Sequence, residues 1–120
     1  MRRRTLSETQ IQRCVFQHLR SHGAPGAVAF AVPNGGYRRP AEAAILKATG
    51  VVAGVPDIFI VHNGHCFALE LKREGGRATD KQLATIAALR EAGAFVAIAE
   101  GLDRALACLS AWGLLKGRAS

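Results

Sequence analysis

A chain of 120 residues, 49% of them hydrophobic, can bury one core; this excludes a disordered protein and leaves room for a single domain spanning residues 1–120. Lysine and arginine number 16 against 9 aspartate and glutamate, for a net charge of +7. That excess suits a polyanionic partner, nucleic acid first, although charge alone does not separate a nucleic-acid binder from an ordinary basic protein.

Taken in chain order, Thr5-Leu6-Ser7-Glu8 reads as a capping box opening a first helix that runs to about residue 22, with an apolar stripe of Ile11, Val15 and Leu19 and a stop at Gly23. Residues 27–32 form a short apolar strand, and Pro33-Asn34-Gly35-Gly36 is a turn. Pro40 opens a second helix over 40–49, closed by Gly50. Two β-prone arms follow, 54–61 and 66–72, around His62-Asn63-Gly64-His65. Residues 73–77 read as a flexible loop, and Thr79-Asp80-Lys81-Gln82 as a second capping box that starts a helix ending at Gly93. A strand over 94–99 and a helix over 102–112 complete the order α-β-α-β-β-α-β-α. A helix between the last two strands makes them parallel, with a right-handed crossover. Both faces of the hairpin are apolar, which predicts helices on both sides of a mixed α/β sheet.

The three cysteines, Cys14, Cys66 and Cys108, are widely spaced and lack a CxxC pair, so they read as reduced packing thiols and not as a disulfide or zinc framework. The first residues lack the apolar core of a signal peptide and no run reaches membrane-spanning length, so a cytoplasmic protein is expected. Trp112-Gly113-Leu114-Leu115 either finishes the core or offers an apolar interface.

The hairpin carries the chemistry. Asn63-Gly64 is the strongest short hairpin signal, and as a two-residue loop it pairs His62 with His65, and Asp57 with Glu70. Opposed residues share a face at roughly 5 Å between Cβ atoms, and Lys72, two residues on from Glu70, shares it too. Facing carboxylates repel, and a hard divalent cation with oxygen ligands removes the repulsion. Two carboxylates with a lysine at one spot therefore point to metal-assisted phosphodiester hydrolysis; a structural ion-pair cluster is the plainer reading. His62 and His65 lie at the far end of the hairpin and are expected to be exposed and structural.

Pro56-Asp57 followed by Glu70-Leu71-Lys72 resembles the PD-(D/E)xK nuclease signature. The surroundings resemble its VRR-NUC branch over residues 5–113: Pro33-Asn34-Gly35-Gly36, Gly54-Val55-Pro56-Asp57, Glu70-Leu71-Lys72-Arg73, Gln82 and Gly93. The resemblance implies a restriction-endonuclease-like mixed sheet flanked by helices. It also implies a Mg²⁺-dependent DNA endonuclease, with Mn²⁺ as a substitute, whose products carry a 5′-phosphate. Metal ligands would be Asp57, Glu70, the Leu71 carbonyl and, from the first helix, Glu8; the last also has a capping role available to it. Lys72 would activate water, and Gln82, also the third residue of a capping box, would support the lysine. Asn34, Tyr37, Arg38 and Arg39 are either substrate contacts or a polar turn, and Arg73, Arg77 and Lys81 either bind phosphate or form a solvated basic face. Arg2, Arg3 and Arg4 make a basic arm. Similar stand-alone members imply branched DNA, such as four-way Holliday junctions, as substrate and a homodimer as the assembly that makes paired cuts. The alternatives are a non-catalytic DNA-binding module on a nuclease fold, or a nuclease delivered to DNA by a partner.

Overall fold

The computed structural model describes residues 5–33 and 38–116. Helix α1 (Glu8–His22) is followed by β1 (Val28–Ala31), α2 (Pro40–Ala48), the hairpin β2 (Ile58–His62) and β3 (His65–Lys72), α3 (Asp80–Glu91), β4 (Phe95–Glu100) and α4 (Leu102–Ala111). The order is the one the sequence pattern predicts. The four strands form one mixed sheet in the order β1-β2-β3-β4. β1 and β2 pair antiparallel, as do β2 and β3, whereas β3 and β4 are parallel.

The hairpin turn is the expected one. Asn63 (φ 51°) and Gly64 (φ 78°) both occupy the left-handed region, which a type I′ turn requires of its two central residues. His62 pairs with His65 and Ile58 with Leu69, so the register carries Asp57 to the level of Glu70 just beyond the end of β2.

One sheet face carries the main core. Ile58, Ile60, Phe67, Leu69 and Leu71 alternate inward from the hairpin. They pack against Ile11 and Val15 of α1 and Ala105 and Leu109 of α4. Leu114 and Leu115 are buried in the same cluster, so the C-terminal apolar stretch finishes this core and is not a free interface. Backbone bonds secure it there: the Ala24 N–H donates to the Leu114 carbonyl at 2.9 Å, and the Lys116 N–H to His22 at 2.6 Å.

The opposite face departs from expectation. α3 covers chiefly its β3–β4 half, through Ala68, Ile86 and Val96, with Phe59 of β2 packed at the border. Over β1 and β2, Val28, Phe30 and Val61 remain 61%, 47% and 44% exposed, and α2 buries no side chain completely. An apolar pattern on both faces announces that both are shielded from water; it does not say that the shield belongs to the same chain.

The first capping box also lies two residues beyond the predicted one. Ser7 is the N-cap: its hydroxyl accepts from the Gln10 N–H at 3.1 Å, and the Gln10 carboxamide accepts from the Ser7 N–H at 2.8 Å. Ser7-Glu8-Thr9-Gln10 fits the template as well as Thr5-Leu6-Ser7-Glu8 does, and the geometry selects the former. Glu8 is thereby released from any capping duty.

Candidate active site

The carboxyl end of β3 gathers the predicted residues. The two-residue turn makes His62–His65 a hydrogen-bonded pair. Strict alternation then makes Ile58–Leu69 another such pair and puts Asp57 and Glu70 at a non-hydrogen-bonded position, where opposed side chains approach most closely. The next pair would be Pro56 with Leu71, and there the ladder changes. Proline has no N–H to offer the Leu71 carbonyl. The Leu71 N–H, in turn, donates to Asp57 Oδ2 at 2.8 Å. N–H and C=O of one strand residue point the same way, so the Leu71 carbonyl faces the Asp57 side of the strand. The dipeptide Pro56-Asp57 thus ends the ladder and leaves a carboxylate and a carbonyl on one side of β3.

Glu70 and Lys72 are nearly out of water, with side chains 2% and 10% exposed and Lys72 Nζ 3.4 Å from Glu70 Oε2. Gln82 Nε2 donates to that same Oε2 at 2.9 Å. The other oxygen, Oε1, is buried and has no hydrogen-bond donor among the described residues. The Glu70 pKa is raised to about 7, chiefly by burial and next by the Asp57 charge, with Lys72 opposing both. The Asp57 pKa is raised too, chiefly by burial, with the Leu71 N–H pulling the other way and the Glu8 charge adding to the rise. Two crowded, desolvated carboxyls have two remedies: a shared proton or a cation. The donor set of two carboxylates and a carbonyl, with one orphaned carboxylate oxygen, fits a hard divalent ion.

Gln82 caps α3 as one alternative has it, and its free nitrogen goes to Glu70 and not to the lysine it was expected to support. Its carboxamide oxygen accepts from the Thr79 N–H at 2.9 Å while its nitrogen serves Glu70; Thr79 remains a cap, its hydroxyl accepting from the Gln82 N–H at 3.2 Å. Glu8 is exposed at the first position of α1, close enough for its charge to act on both carboxyls. Among the described residues, however, no three His, Cys, Asp or Glu side chains converge as a metal-holding group, so Glu8 stands apart from the Asp57–Glu70 pair.

Of the basic candidates, Arg38, Arg39, Arg73, Arg77 and Lys81 are all exposed, and Arg38 and Lys81 line a common cavity. The loop bearing Arg73 and Arg77, expected to be a flexible segment, carries two hydrogen bonds in this structure. Its Gly76 N–H donates to the Arg73 carbonyl and its Gly75 N–H to Glu100 Oε2, both at 2.8 Å. Asn34, Tyr37 and the Arg2–Arg4 arm lie outside the described residues. The Val32 N–H donates to the Asp57 carbonyl at 2.8 Å, so the segment leading to Asn34 starts at the site. His62 is partly buried, within 3.3 Å of the Pro25 carbonyl, and His65 is exposed at the far end of the hairpin.

Sequence reasoning gave Gly54 no role, and the structure assigns one. Its φ is 83°, and a Cβ there would stand 2.6 Å from the Lys81 carbonyl oxygen. This close approach seats the loop before Asp57 on the first turn of α3, the turn that carries Gln82. Thr85 reinforces the seat by donating its hydroxyl to the Ala53 carbonyl at 2.9 Å. A glycine two residues before Pro-Asp is the signal in the sequence, but its partner is remote in the chain.

The fold and its acidic strand end together define a nuclease-family α/β domain. The profile of the VRR-NUC domain matches residues 6–103, and the chain belongs to the VRR-NUC family. A solved VRR_NUC domain protein superposes with a TM-score of 0.77 over 95% of this chain and 94% of that one, at 24% identity. A second solved VRR_NUC domain gives 0.59 over 86% and 94%, at 17% identity. At these identities the structural likeness speaks for the fold alone. No curated protein matches the chain. No helix among the described residues is long and apolar enough to cross a membrane.

Proposed function

We propose that this domain hydrolyses DNA phosphodiester bonds with a divalent cation, Mg²⁺ or in its place Mn²⁺, held by Asp57, Glu70 and the Leu71 carbonyl, with Glu8 adding negative charge nearby. The observation that carries the reading is Glu70: a carboxylate almost wholly buried, with one oxygen engaged by Lys72 and Gln82 and the other without a donor among the described residues. A structural ion pair would satisfy both oxygens. When bound, the ion supplies Lewis acidity to a phosphoryl oxygen and to the attacking water. Asp57 is pre-oriented by the Leu71 N–H. Lys72 holds its ammonium beside Glu70, where it can orient water or neutralise charge on the phosphate, and Gln82 restrains Glu70 from the helix side.

A cleavage assay tests this. Labelled four-way junction, flap and linear duplex of matched sequence are incubated with Mg²⁺, with EDTA, and with the Asp57→Ala and Lys72→Ala variants. Metal-dependent cutting lost in both variants, with DNA binding retained in Asp57→Ala, is expected. Full activity in Asp57→Ala would discard the site. Branched DNA is the proposed substrate class, and paired symmetric cuts in a junction call for two sites and hence a two-fold dimer. A monomeric mass at concentrations that cut the junction would remove the resolvase version.

A further inference from the structure

The apolar surface left open over β1 and β2 is continuous with a cluster of positive charge. Phe30 and Phe59, a cross-strand pair on the face that carries Asp57, stack with ring centroids 6.0 Å apart and planes 12° from parallel. They border an open cavity of about 490 Å³ that Val51 and Val52 also line. The same two valines border a second cavity, of about 570 Å³, into which Arg38, Lys47 and Lys81 are set. Neither cavity has an acidic residue among the described residues lining it. The result is a trough with aromatic and aliphatic walls at one end and three cations at the other.

Both ends of the trough abut the proposed active site. Phe59 is two residues from Asp57 on one strand face, and Lys81 immediately precedes Gln82, the residue bonded to Glu70. Aromatic faces beside cations are how sequence-tolerant single-strand binding is built: bases stack and phosphates pair. A duplex keeps its base faces hidden and could use only the cations. A second copy of the chain would bury the apolar part without using the stacking faces for bases, and the test below separates the two occupants.

We infer that this trough binds an unpaired DNA strand next to the scissile bond, with bases against Phe30 and phosphates against Arg38, Lys47 and Lys81. The inference rests on the nuclease reading only in taking DNA as the polyanion. It makes the junction between paired and unpaired DNA the feature the domain recognises, because only there does an unpaired strand adjoin a phosphate presented at Asp57 and Glu70.

The test is fluorescence anisotropy in EDTA, where nothing is cut, with a short labelled oligothymidylate and a blunt duplex of equal charge. The wild type is expected to prefer the single strand. Lys47→Glu, which reverses a cation that both DNAs can use, is expected to weaken the binding of both; Phe30→Ala, which removes the stacking face, is expected to weaken oligothymidylate binding about tenfold while changing duplex binding much less. Arg104→Glu, an equal charge reversal at a side chain 75% exposed on α4, is expected to change it by less than about twofold. Thermal melts check folding; should Phe30→Ala not fold, Phe30→Leu, which keeps the apolar bulk and loses the aromatic face, carries the test. Equal affinity for both DNAs, or equal loss in Arg104→Glu, would overturn the inference. So would a Phe30→Ala variant that lowers the sedimenting mass without touching oligonucleotide affinity, since the surface would then belong to a second copy. A protein that binds the single strand through these residues yet never cuts would keep this inference and lose the nuclease reading. One that cuts but is indifferent to both substitutions would do the reverse.

Discussion

Glu70 should make the metal-free protein less stable as pH rises, and the amount follows from its burial. The folded state holds the Glu70 proton up to about pH 7, against 4.5 for an unperturbed glutamate. A carboxyl whose folded pKa is raised contributes its stability in full below the unfolded value and loses it as pH climbs through the folded one. With the side chain only 2% exposed, solvent screening takes little from the effect. The difference amounts to about 3 kcal/mol, lost between roughly pH 4.5 and pH 7 and constant above. Glu70→Gln has the shape of the protonated acid and cannot ionise. In EDTA it should melt with the wild type at about pH 4 and above it at about pH 8, by roughly 10 °C for a domain of this size. Asp57, raised in the same direction, remains in both proteins; Glu70 and Asp57 act on one another, so the comparison reads the titration of the pair. Mg²⁺ at the higher pH should raise the wild-type melting temperature and leave the variant nearly unmoved, because the ligand oxygen is gone. Circular dichroism melts across this range decide it. Coincident wild-type and Glu70→Gln curves at every pH would refute the picture of a site held at a stability cost for the sake of its ligand.

Three further substitutions probe the supports of the site. Gly54→Ala should destabilise the protein by about 2 kcal/mol or more, since it meets both a left-handed backbone and the Lys81 carbonyl, and should depress cleavage although no charged group changes; a melt equal to the wild type would show that the loop simply moves aside. Thr79→Ala and Gln82→Ala each remove part of one capping box, costing about 1 kcal/mol, but only Gln82→Ala also releases Glu70 and should lower the cleavage rate; equal loss of rate in both would reduce Gln82 to a cap. Leu114→Ala should cost about 2–5 kcal/mol in urea unfolding with no change in sedimenting mass, whereas a change of mass with little loss of stability would return the C-terminal stretch to an interface.

What was legible in the sequence were the features carried by neighbours along the chain. Asn63-Gly64 and strict alternation were enough to set Asp57 level with Glu70, because turn type dictates register. The parallel β3–β4 pair followed from the intervening helix. The illegible features depend on partners distant in sequence or on a choice between equal templates. Two overlapping capping boxes were available at the start of α1, and only the packed structure decides between them. The role of Gly54 depends on Lys81, and the exposure of Phe30 and Val61 depends on where α2 comes to rest. Gln82 was legible as a cap, but the partner of its carboxamide nitrogen, Glu70 and not Lys72, depends on how α3 packs on β3.

The site is specified from its far end. Asn63 and Gly64 make none of its contacts, yet the register they impose decides which strand face receives Glu70 and Lys72. A slip of one residue would turn both toward the α1–α4 core and bring Leu71 to the face of Asp57. Such a slip would bury a carboxylate and an ammonium among Ile11, Val15 and Leu109, so the hydrophobic core enforces this register as firmly as the turn proposes it. Pro56 acts at the other end. By withholding an N–H from Leu71 it stops the ladder where regular pairing would have consumed the backbone groups, and the side chain of Asp57 takes over the Leu71 N–H. Core, turn and proline thus answer three different questions — which face, which register and where pairing stops — and the two carboxylates meet only at the position that satisfies all three.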